Sequence, residues 1–409
     1  MDMSAPFTHD ELRARAARAR ALMERDGLDA LIVTGDFSAG MNYYYLSGHQ
    51  PRDYQLNYSR PHVMVLPLEG DPFLYVYGVN VDNALTQSWV EDAVAYAPPF
   101  TGAPLAQALR ERGLGRARIG AELGTDQRLA MPVLQWQAIV SSLPDAQFVD
   151  AADLLWELRS IKSEAEIAYI RTADGINSDG LELAFSRLRA GDTEVDVART
   201  VGAALIESGA HRPPYAQLLL VSEAKSQALG HGARMLGPLP EYEIAPGQLL
   251  FVDSGVIVAG YWGEFNRMAV VGEPSDAQTL HHDNIRSVVT RSVDEALKPG
   301  RTFREVIEAM AGFYRDCGYD ESQFGTYMGP PYMHLCHGLG LAGSEPPFVR
   351  HDRDDVLVPG QVFSCEAYLR HDGMTYGSEE DVVITETGCD VLSSRDPGLY
   401  VIDPVGALA

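Results

Sequence analysis

A chain of 409 residues is long for one hydrophobic core, so two domains are expected. Its 46% hydrophobic and 22% charged residues are those of an ordinary globular protein. The formal charge of −25 argues against nucleic acid or an anionic membrane as a partner, because both would repel it.

The opening Met1-Asp2-Met3-Ser4-Ala5-Pro6 lacks the basic and apolar regions of a signal peptide, and none is expected. Thr8-x-x-Glu11 reads as a capping box, with Leu12, Ala16, Ala19 and Met23 following at helical spacing and Gly27 as the stop. Leu28 to Gly35 reads as a buried strand. Further strands are expected at 62–68, 72–79 and 117–123, and helices near 103–113 and 126–142. This alternation predicts an α/β N-terminal domain over 1–158. Ser163 and Glu166 form a second capping box, opening a helix to about Leu188, and 193–209 gives another. The chain is then strand-rich over 217–271, helical near 275–297 and 303–318, and strand-rich again over 358–402. Strands in blocks predict an α+β second domain over 159–409. No apolar run reaches the ~18 residues of a membrane helix. Four scattered cysteines without a Cys-x-x-Cys pair predict reduced thiols and a cytoplasmic protein. Cys336 and Cys365 read as small core residues.

The second domain holds Asp253, Glu264, His337, Glu366 and Glu380. Four carboxylates and an imidazole are hard and borderline donors, suited to Mn, Fe, Co or Zn, and two such ions can hold a hydroxide as nucleophile. Brought together without cations, the carboxylates would repel one another. The competing readings are local. Asp253 would cap a turn, Glu264 would be an edge residue beside Trp262 and Phe265, and Glu380 would belong to a solvated acidic turn with Glu379 and Asp381.

Leu158-Arg159-Ser160-Ile161-Lys162-Ser163-Glu164-Ala165-Glu166-Ile167, Asp253-Ser254-Gly255 with Gly260-Tyr261 and Arg267, and His337-Gly338-Leu339-Gly340-Leu341 with Glu345-x-Pro347 resemble the creatinase/prolidase/aminopeptidase P superfamily. Asn42-Tyr43-Tyr44-Tyr45-Leu46-Ser47-Gly48 is a weaker echo of its N-terminal domain. The resemblance implies a pita-bread catalytic domain behind a creatinase-type α/β domain, two divalent metal ions (Mn, Fe, Co or Zn), and a homodimer. It makes Asp253, Glu264, His337, Glu366 and Glu380 the metal ligands, with Glu366 and His231 as catalytic residues. Ser344, Arg52, Arg60 and Tyr261 become the expected substrate-binding residues. Two departures stand out. Glu264 stands where the family has Asp, and Ser344 where its peptidases have a second His that stabilises the oxyanion. His334 stands three residues before His337, where prolidases tend to have a His four before.

The expected activity is dinuclear-metal hydrolysis of a C–N bond in a short peptide or other small molecule, like an Xaa-Pro aminopeptidase or dipeptidase. The alternative is a non-peptidase enzyme on the same scaffold, of the creatinase, ectoine hydrolase or dimethylsulfoniopropionate lyase kind. A non-catalytic binding module is the third reading, opposed by five intact donors.

Overall fold

Thr8 starts the first helix by accepting the Glu11 backbone N–H at 3.2 Å, and Gly27 ends it in the left-handed region at φ 67. The reciprocal half of the expected box is absent, because the Glu11 carboxylate accepts from Arg15 instead. The computed structural model describes residues 6–36, 40–51, 59–210, 243–320, 334–372 and 374–405. The chain divides into two compact units, Met1–Arg159 and Ser160–Ala409.

The first unit runs α1 (His9–Asp26), β1 (Ala30–Gly35), α2 (Met41–Ser47), β2 (His62–Pro67), β3 (Phe73–Tyr77), α3 (Val81–Gln87), β4 (Asp92–Tyr96), α4 (Ala103–Glu111), β5 (Arg118–Ala121), α5 (Val133–Ser142) and β6 (Gln147–Asp150), and it ends within α6 (Ala152–Ser160). Among the described residues its six strands form one mixed sheet, β4-β3-β2-β1-β5-β6. The helix expected over 126–142 begins only at Val133. Pro132 takes the extended N-cap conformation, and Asp126 has φ 57, which a helix does not accept.

The second unit runs α7 (Glu164–Arg187), α8 (Glu194–Glu207), β7 (Leu249–Val258), β8 (Tyr261–Val271), α9 (Asp276–Arg291), α10 (Phe303–Asp316), β9 (His334–Gly338), β10 (Glu345–Arg350), β11 (Val362–His371), β12 (Met374–Ile384), β13 (Cys389–Val391) and β14 (Tyr400–Ile402). Its strands form two sheets, β10-β9-β11-β12-β13 and β14-β8-β7. Helix α7 packs on β7 and β8, and α9 packs on β11 and β12. This is the α+β arrangement expected from strands in blocks. Among the described residues four helices start on reciprocal capping boxes: Ser163/Glu166, Thr193/Asp196, Ser275/Gln278 and Thr302/Glu305. Cys336 and Cys365 are buried opposite each other on β9 and β11, within an apolar cluster that includes Phe303, Val306 and Phe363. All four cysteines are free thiols. Among the described residues no helix is long and apolar enough to cross a membrane.

Candidate metal centre

The very apolar run Leu249 to Val252 is buried and carries Asp253 inward with it. A two-residue turn at Ala259 (φ 52) and Gly260 (φ 88) folds β8 back along β7. The register sets Asp253 opposite Asn266 and Gly255 opposite Glu264, so these four residues share one face. In the other sheet His337 on β9 lies opposite Ser364 on β11, and Glu366 lies opposite Glu379 on β12. Alternation along β11 and β12 puts His337, Ser364, Glu366 and Glu379 on one face.

Hydrogen bonds between β8 and β12 join these two faces. Asn266 donates its backbone N–H at 2.9 Å and its side-chain Nδ2 at 2.5 Å to Glu379 Oε2, and the Glu264 N–H donates to Asp381 Oδ2 at 3.0 Å. Ser364 Oγ donates to Glu379 Oε1, and the Tyr368 hydroxyl donates to Glu366 Oε2 at 2.6 Å. One donor atom from each of Glu264, His337 and Glu379 lies within 4.8 Å of the other two. Asp253 and Glu366 adjoin that trio electrostatically.

Burial first, then the charge of Glu379, push the Asp253 carboxyl up to about 8 against its hydrogen bond with Glu264. The same two causes hold Glu264 and Glu366 well above the usual carboxylate range. Burial lowers His337, against the pull of Glu379. With Nδ1 donating to the Gly338 carbonyl at 3.2 Å, His337 offers Nε2 to the cluster. Among the described residues, Asp253 Oδ1 and Glu264 Oε2 are buried without a hydrogen-bond partner. Crowded carboxylates with orphaned oxygens are the condition that divalent cations relieve, and the donor set fits them.

Four expected ligands, Asp253, Glu264, His337 and Glu366, come together here. Glu380 does not. It lies opposite Cys365 on the reverse face, where it takes Arg267 at 3.3 Å, Ser393 Oγ and the Asp396 N–H at 2.6 Å. Glu379 holds the place expected of it, because one residue along a strand reverses the side chain. Tyr261 is likewise on the reverse face, buried, with its hydroxyl donating to Glu166 Oε1 at 2.6 Å, so it is no substrate contact. Trp262, its neighbour, shares the face of Glu264. Ser344 is exposed in the loop between β9 and β10. Arg60 belongs to the first unit, where it donates to the Ser59 carbonyl and lies over the Tyr77 ring. Arg52 and His231 lie outside the described residues; of His334 the strand backbone is described.

Asn266, Tyr368 and Glu379 were missed from sequence, as was the buried pair Asp174 and Asp381. Counting in twos from Glu264 reaches Asn266 and Trp262, and from Glu366 it reaches Tyr368. No such count distinguishes Glu379 from Glu380 without the register of β12 on β11.

The chain matches the family described as metallopeptidase family M24 over residues 168–386 and the creatinase/prolidase N-terminal domain over 15–161. A probable dipeptidase PepE of Mycobacterium tuberculosis is 27% identical over 402 residues, covering 98% of each chain. An Xaa-Pro dipeptidase of Lactobacillus delbrueckii is 25% identical over 341 residues, covering 82% of this chain and 86% of the relative. Among solved structures, an Xaa-Pro dipeptidase from Bacillus anthracis superposes with a TM-score of 0.79 at 22% identity, over 96% of this chain and all of that one (100%). An X-Pro aminopeptidase from Thermotoga maritima gives 0.76 at 22% identity, over 93% and 99%. The two-sheet second unit with its outer helices is thus a pita-bread domain, preceded by a creatinase-type α/β domain.

Proposed function

This chain belongs to metallopeptidase family M24, and we propose from that premise that it hydrolyses the amide bond of short Xaa-Pro peptides with two divalent ions. The observation that carries the reading is the buried cluster in which Asp253 and Glu264 each keep an orphaned carboxylate oxygen beside His337, Glu366 and Glu379. These five residues would hold the ions, drawn from Mn, Fe, Co or Zn. Bound there, the ions supply Lewis acidity and a water acidified enough to attack a carbonyl at neutral pH.

The chain's own residues do the rest. Glu366, held at Oε2 by the Tyr368 hydroxyl, would accept a proton and return it to the departing nitrogen. Asn266 and Ser364 fix both oxygens of Glu379, so its orientation is set before anything binds. Tyr368 and Asn266 therefore act as positioning residues. His231 is proposed as a second proton carrier. Arg52 and Arg60 are proposed as clamps for a substrate carboxylate. A homodimer in a reducing cytoplasm completes the proposal, and light scattering of the purified protein tests the dimer.

Ser344 and Glu264 favour a second reading, a non-peptidase enzyme acting on a small molecule. Serine supplies no imidazole to the oxyanion, and glutamate shifts one ligand by a methylene. The deciding experiment loads the metal-stripped protein with Mn, Co, Fe or Zn. Each form is assayed on Xaa-Pro dipeptides, on a guanidino compound, on a cyclic amidine and on a sulfonium compound. Metal-stimulated release of proline supports the peptidase. Turnover of one of the other three alone supports the second reading, and stoichiometric metal without any turnover refutes both.

A further inference from the structure

The reading as an Xaa-Pro peptidase leaves open what sorts one substrate from another. Strand β8 offers one aromatic ring on the face of the metal centre. Trp262 alternates with Glu264 and Asn266 on that face, while Tyr261 points the other way to Glu166. Two glycines make room for the indole. A methyl group on Gly255 would lie 2.9 Å from its Cε3 atom, and one on Gly343 would lie 3.4 Å from the same atom. Gly255 pairs with Glu264, and its added methyl would also come within 3.3 Å of the Glu264 Cβ. The benzo edge of the ring is therefore wedged between β7 and the loop that leads to Ser344, directly beside a ligand position. The Trp262 backbone N–H donates to the Gly340 carbonyl at 2.8 Å, which ties that loop to the strand. The ring is seated but not engulfed, since Trp262 is half-buried.

We propose that Trp262 is a specificity-determining residue, an apolar wall beside Glu264 against which the site holds an apolar side chain of its substrate. The inference rests on the peptidase reading. An indole face offers broad dispersion contact at little entropic cost, because two side-chain torsions are already fixed by packing. A small or charged substrate side chain would gain little there. The wall acts on binding before chemistry, so its loss should appear in KM.

The test compares wild type, Trp262→Ala and Trp262→Phe, each loaded with Mn, on Phe-Pro, Leu-Pro, Gly-Pro and Asp-Pro. Trp262→Ala should raise KM for Phe-Pro and Leu-Pro about tenfold, change kcat less than about threefold, and leave Gly-Pro and Asp-Pro within about twofold. Trp262→Phe should recover most of the loss. Equal KM changes across all four peptides would overturn the proposal while leaving the peptidase reading intact. A wild type that cleaves none of them overturns both, and that is seen before any variant is made. Should Trp262→Ala fail to fold, indole fluorescence decides. Leu-Pro should perturb the emission of the wild type and not that of Trp262→Phe, and identical responses would refute the wall.

Discussion

Glu379 and Glu380 are adjacent, chemically identical and both buried, yet the fold assigns them opposite duties. Glu379 faces Glu264 and His337, and Glu380 faces Arg267. Their substitutions should therefore fail differently. Glu379→Ala should weaken metal binding at least about 100-fold, with activity falling in parallel, as measured by calorimetric titration and by metal content after dialysis. Glu380→Gln removes the charge opposite a buried guanidinium, and should lower the unfolding free energy by roughly 3 kcal/mol while still binding metal stoichiometrically. If Glu380→Gln loses the metal and Glu379→Ala keeps it, the assignment made here is reversed. Ser344 gives a gain-of-function test. It is exposed, so Ser344→His should fit without repacking, and the family resemblance implies an imidazole at this position in the peptidases. An increase of roughly tenfold in kcat on Xaa-Pro peptides is expected, and an unchanged kcat would exclude this loop from the oxyanion's surroundings.

At the scale of elements, strand phase decides which side chains meet. Gly263 lies between Trp262 and Glu264 on the reverse face of β8, against α7. A methyl group added there would come within 2.3 Å of Asp174 Oδ1 and 2.5 Å of the Asp174 backbone nitrogen. Because a backbone atom cannot rotate away, Gly263→Ala should push β8 off α7 and destabilise the second unit by roughly 1–3 kcal/mol. Urea denaturation measures this, and a change under about 0.5 kcal/mol would show that α7 yields instead. The same period of two explains what the sequence revealed. The Ser163/Glu166 capping box foretold α7, helices were expected where α8, α9 and α10 lie, and the strand-rich stretch ending at 271 holds β7 and β8, because those signals are local. Asp253, Glu264, His337 and Glu366 were legible because each ends or interrupts an apolar strand. Glu380 was misplaced by one residue, and Tyr261 faces the reverse side, toward Glu166. Inward and outward phase comes from pairing with β11 and β7, a contact between distant segments that no local pattern contains. Asp174 was invisible for the same reason, since α7 brings it beside Asp381 only through its packing on β7 and β8.

Over the whole molecule, the two units should respond to different reagents. The candidate metal centre lies in the second unit, so Mn at 100 times the proposed site's Kd should stabilise that unit by about 2.7 kcal/mol, and a chelator should reverse it. The first unit responds to pH through two buried groups. Glu122 accepts from the Thr34 N–H, the Thr34 hydroxyl and Asn42 Nδ2, yet burial still pushes it up to about 7. Its folded value lies above the ordinary 4.5, so its contribution is complete below 4.5 and is lost as the pH rises through 7. His62 has the opposite sign. Burial, then the neighbouring His49, hold it down to about 3 from 6.5, so its contribution is complete above 6.5 and is lost as the pH falls toward 3. Between 4.5 and 6.5 the two slopes cancel, so the first unit should hold a plateau there, losing roughly 2 kcal/mol from 4.5 down to 3 and roughly 0.7 kcal/mol from 6.5 up to 7. Chemical denaturation across pH 3 to 8 tests this against two variants. Glu122→Gln should remove the alkaline fall and extend the acid limb up to about 6.5, and His62→Phe should remove the acid limb and extend the alkaline fall down to about 4.5. An acid limb that survives His62→Phe intact would mean that this imidazole is solvated and titrates normally.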